Sequence, residues 1–129
     1  MPTQTTSPVC LRPQDFVRHL TVETSELEVS SAGADFHELV AAVSGNIIRV
    51  LQMTVWAMDA ADTEANLQSG GGSGSTILAL GLGADRRWEA SWSPVGWCDT
   101  VVGESLDFDH QAGTASRYAI NLAYVLLPG

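Results

Sequence analysis

Few residues in this chain could do chemistry, and they are scattered. His19, His37 and His110 stand far apart, and a zinc site would need them to converge with a carboxylate or a thiolate. The plainer reading is three surface or edge histidines. Asp99, Glu104, Asp107, Asp109 and His110 crowd one stretch. Clustered oxygens can bind calcium, but no EF-hand spacing is present. The alternative is a solvated acidic edge that deters edge-to-edge pairing. Glu104 and Asp107 have the residue types of a glycosidase acid and base, although closeness in sequence says little about geometry. Gly71-Gly72-Ser73-Gly74-Ser75 lacks the final glycine of a hydrolase elbow. The run Gly70–Ser75 also lacks the Gly-Lys-Ser/Thr ending of a phosphate loop, and the chain has no lysine. It reads as a flexible surface loop. Cys10 and Cys98 match no metal or redox spacing and read as free thiols. The expectation is a protein that is not an enzyme, with no cofactor and no metal.

Tryptophans 88, 92 and 97 are the remaining candidates. Their flat apolar faces could form a sugar-binding platform, but such residues more often belong to a core. Trp88, Ala90 and Trp92 share one parity against Arg87, Glu89 and Ser91, the alternation of a half-buried strand. Pro94 removes a ladder donor and Gly96 permits a turn. Trp97 is then expected to be buried, closing the end of a sandwich. After Gly103 a second alternation places Leu106 and Phe108 on one face, with Ser105, Asp107 and Asp109 on the other.

The elements that must hold these residues are short strands. His19 to Ser30 changes parity at Thr24-Ser25-Glu26, predicting a turn or bulge there. Further strands are predicted over His37–Val43, where a helix of barely two turns over Phe36–Val43 is the alternative, and over Asn46–Met58, Thr63–Gln68 and Thr76–Leu82. The last, Ser116–Leu127, puts Tyr118, Ile120, Leu122, Tyr124 and Leu126 on one face. Asn46–Met58 is apolar on both parities, which predicts cover on both faces, one by a second sheet and one by another subunit. About eight strands with regularly spaced turns indicate an all-β antiparallel sandwich or barrel. Residues 1–18, with Pro2, Pro8 and Pro13, read as an extended N-terminal arm, and 19–129 as the sandwich domain.

Composition limits partners. The 129 residues carry 15 acidic and 6 basic side chains, a formal charge of -9. This disfavours nucleic acid, which is bound mainly through phosphate neutralisation, and anionic membrane surfaces. The N-terminus has no basic and apolar signal-peptide regions, and no apolar run has the length of a membrane helix, so cytosolic synthesis is expected.

The order of motifs resembles small β-sandwich virion proteins of tailed bacteriophages, of the head-decoration (cement) type. The motifs are Gly45-Asn46-Ile47-Ile48-Arg49-Val50-Leu51, a Gly-rich loop, Pro94-Val95-Gly96-Trp97, Thr100-Val101-Val102-Gly103-Glu104-Ser105-Leu106, and Tyr124 in the closing strand. They cover roughly residues 37 to 127. Asp99 and the proline-dotted arm depart from the pattern. The resemblance implies a jelly-roll-like sandwich, often trimeric. It would bind the major capsid protein on the outer surface of a phage head after assembly in the host cytoplasm, and stabilise that head. Within this reading the arm residues Val9, Leu11, Arg12, Phe16 and Arg18 contact the capsid. Ile47, Arg49, Leu51, Met53, Ala119, Asn121 and Ala123 form the homotrimer contact. Trp88, Trp92, Pro94, Gly96, Trp97, Gly103, Leu106 and Tyr124 hold the structure. The alternative is a receptor-binding or fibre-tip module whose tryptophan end grips a host-surface glycan.

Overall fold

The structure, a computed structural model, describes residues 20–29, 36–58, 64–71, 74–110 and 116–129. Among the described residues, nine strands make two antiparallel sheets. They are β1 (Leu20–Val29), β2 (Phe36–Val40), β3 (Asn46–Ala57), β4 (Glu64–Ser69), β5 (Ser75–Gly81), β6 (Arg87–Ala90), β7 (Cys98–Asp99), β8 (Leu106–His110) and β9 (Ser116–Pro128). The first sheet runs β1-β9-β3-β6, with β7 also pairing β3, and the second runs β2-β8-β4-β5. The all-β sandwich read from the sequence is the observed architecture. β1 keeps an unbroken register against β9, from Leu20 opposite Val125 to Val29 opposite Ser116. The turn or bulge expected at Thr24-Ser25-Glu26 is therefore absent.

The core lies between the sheets. From β9 come Tyr118, Ile120, Leu122 and Tyr124, all buried, as their uninterrupted alternation predicts. Leu67, Leu80, Leu106 and Phe108 face them from the second sheet. The rings of Phe108 and Tyr118 meet edge to face, with centroids 5.0 Å apart.

β3 departs from the sequence reading in an instructive way. Its pairing with β9 slips between Val50 and Gln52, so Leu51 is an extra residue in the strand. Such a bulge moves every later side chain to the opposite face. Ile48 and Val50 are buried before it, and Met53, Val55 and Ala57 after it. Ile47 and Arg49 share the outer face with Gln52, Thr54 and Trp56. The strand is thus apolar on both parities because its phase changes, and a second subunit is not needed to account for it.

Candidate functional site

The connection from Ser91 to Ser105 is tied to β3 along nearly its whole length. Main-chain N–H groups of Ser93, Trp97, Thr100 and Gly103 donate to the carbonyls of Leu51, Val50, Ile48 and Asn46 at 2.8–3.0 Å. Thr100 Oγ1 accepts from the Ile48 N–H at 2.9 Å. Arg49 grips Asp99 with both arms, Nε to Oδ1 and Nη2 to Oδ2, each at 2.8 Å. Bidentate pairing is the strong form of this contact, and it holds the Arg49 guanidinium above its usual pKa. Gly96 has φ +91°, and a Cβ there would lie 2.5 Å from Arg49 Cγ. The sequence motifs of the resemblance therefore interlock along one strand, and Asp99 is the partner of the motif arginine.

This frame presents apolar side chains to solvent. Of the eight large exposed hydrophobic residues among the described ones, five lie between 92 and 102: Trp92, Val95, Trp97, Val101 and Val102. The expected burial of Trp97 is corrected here, since the residue is 46% exposed. Its position is fixed instead by two hydrogen bonds, the main-chain one to Val50 and one from the indole Nε1 to the Ser91 carbonyl at 2.8 Å. Trp92 is corrected likewise, because β6 ends at Ala90 and leaves it outside the ladder. Trp88 does pack against the core, and Leu106 and Tyr124 belong to it.

Beside this connection the outer face of the first sheet carries a depression of about 340 Å³ lined by Gln52, Thr54, Glu89, Ala90 and Ser91. Thr54 lies opposite Glu89, and Trp56 opposite Arg87. The Arg87 guanidinium stands over the Trp56 ring, 5.8 Å from its centroid.

The acidic stretch serves architecture. Ser69 is fully buried, donates to Glu104 Oε1 at 2.6 Å and accepts from the Val101 N–H at 2.9 Å. Ser105 donates to Asp107, which is itself buried. The glycine run is closely fitted where it is described: a Cβ on Gly70 would meet the Glu104 carboxylate, and one on Gly74 would overlap the Ser69 carbonyl. His37 lies half-buried on the edge strand β2, whereas His110 is buried and not a surface or edge group. Pairing of β2 with β8 stacks their rings with centroids 5.7 Å apart, and His110 is buried beside Tyr118. Among the described residues, no three or more His, Cys, Asp or Glu side chains are grouped to hold a metal ion. Cys98 is a free thiol whose pKa is pushed up to about 11, chiefly by burial and then by the charge of Asp99.

The other assigned residues divide. Val9, Leu11, Arg12, Phe16, Arg18, Cys10 and His19 lie outside the described residues. Of the expected trimer contact, Leu51, Met53 and Ala123 are already buried within one chain, so they are not available to a partner. Ile47, Arg49 and Ala119 are half-buried, and Asn121 is exposed. Sequence reasoning missed Gln52, Thr54, Trp56 and Glu89 as neighbours on one open face. Their alternate spacing was visible, but only the bulge reveals that β3 turns them outward. Compared with models of known families and with characterised proteins, the chain matches none.

Proposed function

We propose that this chain is a structural virion protein of a tailed bacteriophage, a decoration protein that binds the outer surface of the head and stabilises it. The observation that carries this reading is a ledge of exposed apolar residues, Trp92, Val95, Val101 and Val102, strung along the connection that is hydrogen-bonded to β3. A concentrated exposed apolar surface suits protein contact, and adhesion through fixed contacts needs no catalytic group. In this reading the ledge replaces the strand face first assigned to the homotrimer contact, and the arm engages the major capsid protein. Repetition within a trimer would multiply a modest affinity. The strand order also supports a jelly roll: β1 beside β9, β2 beside β8, and the chain passing between two four-stranded paths.

Exposure of Trp92 and Trp97 favours a second reading, recognition of a host-surface glycan by a virion tip. Stoichiometry separates the two. Quantitative mass spectrometry of purified particles should find this chain at a copy number comparable to that of the shell protein. A few copies per particle would move it to the tip, and its absence from particles would overturn both readings.

A further inference from the structure

The geometry points to a binding site for a neutral oligosaccharide in the depression on the outer face of the first sheet, between Trp56 and Trp97. It rests on the second reading above, that the protein meets a carbohydrate surface, and it supplies the place and the ligand class.

The floor is built of side chains that exchange hydrogen bonds with hydroxyls. Gln52 and Thr54 rise from β3, and Glu89 and Ser91 from β6 and its end. Amide and hydroxyl groups both donate and accept, while the carboxylate only accepts. None of these four is buried; Gln52, Glu89 and Ser91 are exposed outright. An indole flanks each end. Trp56 follows Thr54 on the same strand face and is 44% exposed, with Arg87 stacked over it. At the other end the Trp97 indole is fastened to the Ser91 carbonyl. An aromatic ring offers a flat apolar surface to the C–H face of a pyranose, while the polar floor takes its hydroxyls. Along β3 the span from Gln52 to Trp56 is about 13 Å, at roughly 3.3 Å per residue. That length admits a short run of sugar rings laid along an open, shallow face.

Charge selects among sugars. Glu89 sits in the floor and the whole chain carries a formal charge of -9. Sialylated or uronic-acid glycans would meet repulsion from Glu89 in the floor and from the net surface charge, which Arg87 at the Trp56 end offsets only in part. Neutral hexose or N-acetylhexosamine chains would not. The mixed donors and acceptors then favour hydroxyl-rich ligands over an apolar peptide, for which the floor provides no deep apolar pocket.

The test is a tryptophan-fluorescence titration of the full chain with maltohexaose, mannohexaose and the β-1,4-linked N-acetylglucosamine hexamer, with polysialic acid as the anionic comparison. At least one neutral hexamer should bind, and polysialic acid should not. Trp56→Ala and Glu89→Arg should each weaken that binding tenfold or more while leaving the melting temperature within a few degrees. Two results overturn the inference in distinguishable ways. If no neutral hexamer binds, both this site and the carbohydrate reading fail. If a hexamer binds but is insensitive to Trp56→Ala and Glu89→Arg and lost in Trp92→Ala, the carbohydrate reading stands and the site lies on the ledge.

Discussion

At Gly96 two separate constraints exclude any side chain. The backbone is left-handed, φ +91°, and an added Cβ would press on the Arg49 side chain near its root, where it cannot swing aside. The conformation alone costs an L-residue about 1–2 kcal/mol, and displacement of the Arg49–Asp99 pair adds to it. Gly96→Ala should therefore lower the melting temperature by several degrees, read by calorimetry; an unchanged midpoint would mean that the turn is free to rearrange. Trp97 makes the opposite case. With the residue nearly half exposed, Trp97→Ala should cost about 1–2 kcal/mol, below the roughly 3–5 of a fully buried large aromatic. Cys98 is readable by chemistry. A thiol pushed up to about 11 from 9.0 is mostly protonated at neutral pH, and the thiolate is the nucleophile. Two pKa units reduce its thiolate fraction about a hundredfold. In a Cys10→Ser background, iodoacetamide should label Cys98 at least that much more slowly than a model thiol at pH 8. The rate should climb through pH 9–11, and fast labelling at pH 8 would show an open, unshifted thiol.

At the scale of the strand, the bulge at Leu51 decides which residues are inside. Met53 should then behave as core and Gln52 as surface, although they are neighbours in sequence. Met53→Ala should cost about 2–5 kcal/mol and Gln52→Ala less than about 0.5, measured by urea unfolding. Similar costs, or the reverse order, would put the bulge elsewhere. The same comparison shows what the sequence could and could not reveal. β9 was legible because its alternation runs without interruption from Tyr118 to Tyr124. β3 was legible as a strand but not in its phase: Leu51 is as apolar as its neighbours, so nothing local marks it as the extra residue. β7 has only two residues, too few for a period to show. The His37–His110 stack needed the β2–β8 pairing, and long-range pairing is what local patterns leave open. The depression was hidden for both reasons, since it requires the bulge and the β3–β6 register together. An aromatic residue suits a core and an exposed face equally, so the sequence alone does not distinguish burial of Trp97 from its observed exposure.

Across the molecule, two long-range features oppose each other. Repulsion from a formal charge of -9 keeps copies apart, while the exposed side chains of Trp92, Val95, Val101 and Val102 favour association by removing apolar surface from water. Repulsion between exposed charges is screened by salt, with a Debye length near 10 Å at 0.1 M and about 3 Å at 1 M, whereas apolar contact survives screening. If the ledge is the homotrimer contact, the oligomer should strengthen as salt rises. Sedimentation velocity at micromolar concentration should show the weight shifting from monomer toward trimer between about 0.02 M and about 0.5 M sodium chloride. An assembly held by ion pairs would shift the other way. Val95 and Val101 are both exposed and outside the core cluster, so Val95→Asp with Val101→Asp should leave the melting temperature of the monomer nearly unchanged. The same pair places a charge in the contact from each copy and should hold the protein monomeric at every salt concentration. A wild-type chain that stays monomeric throughout would remove the ledge as a subunit contact, and the proposed binding to a head, if it occurs, would then have to proceed one chain at a time.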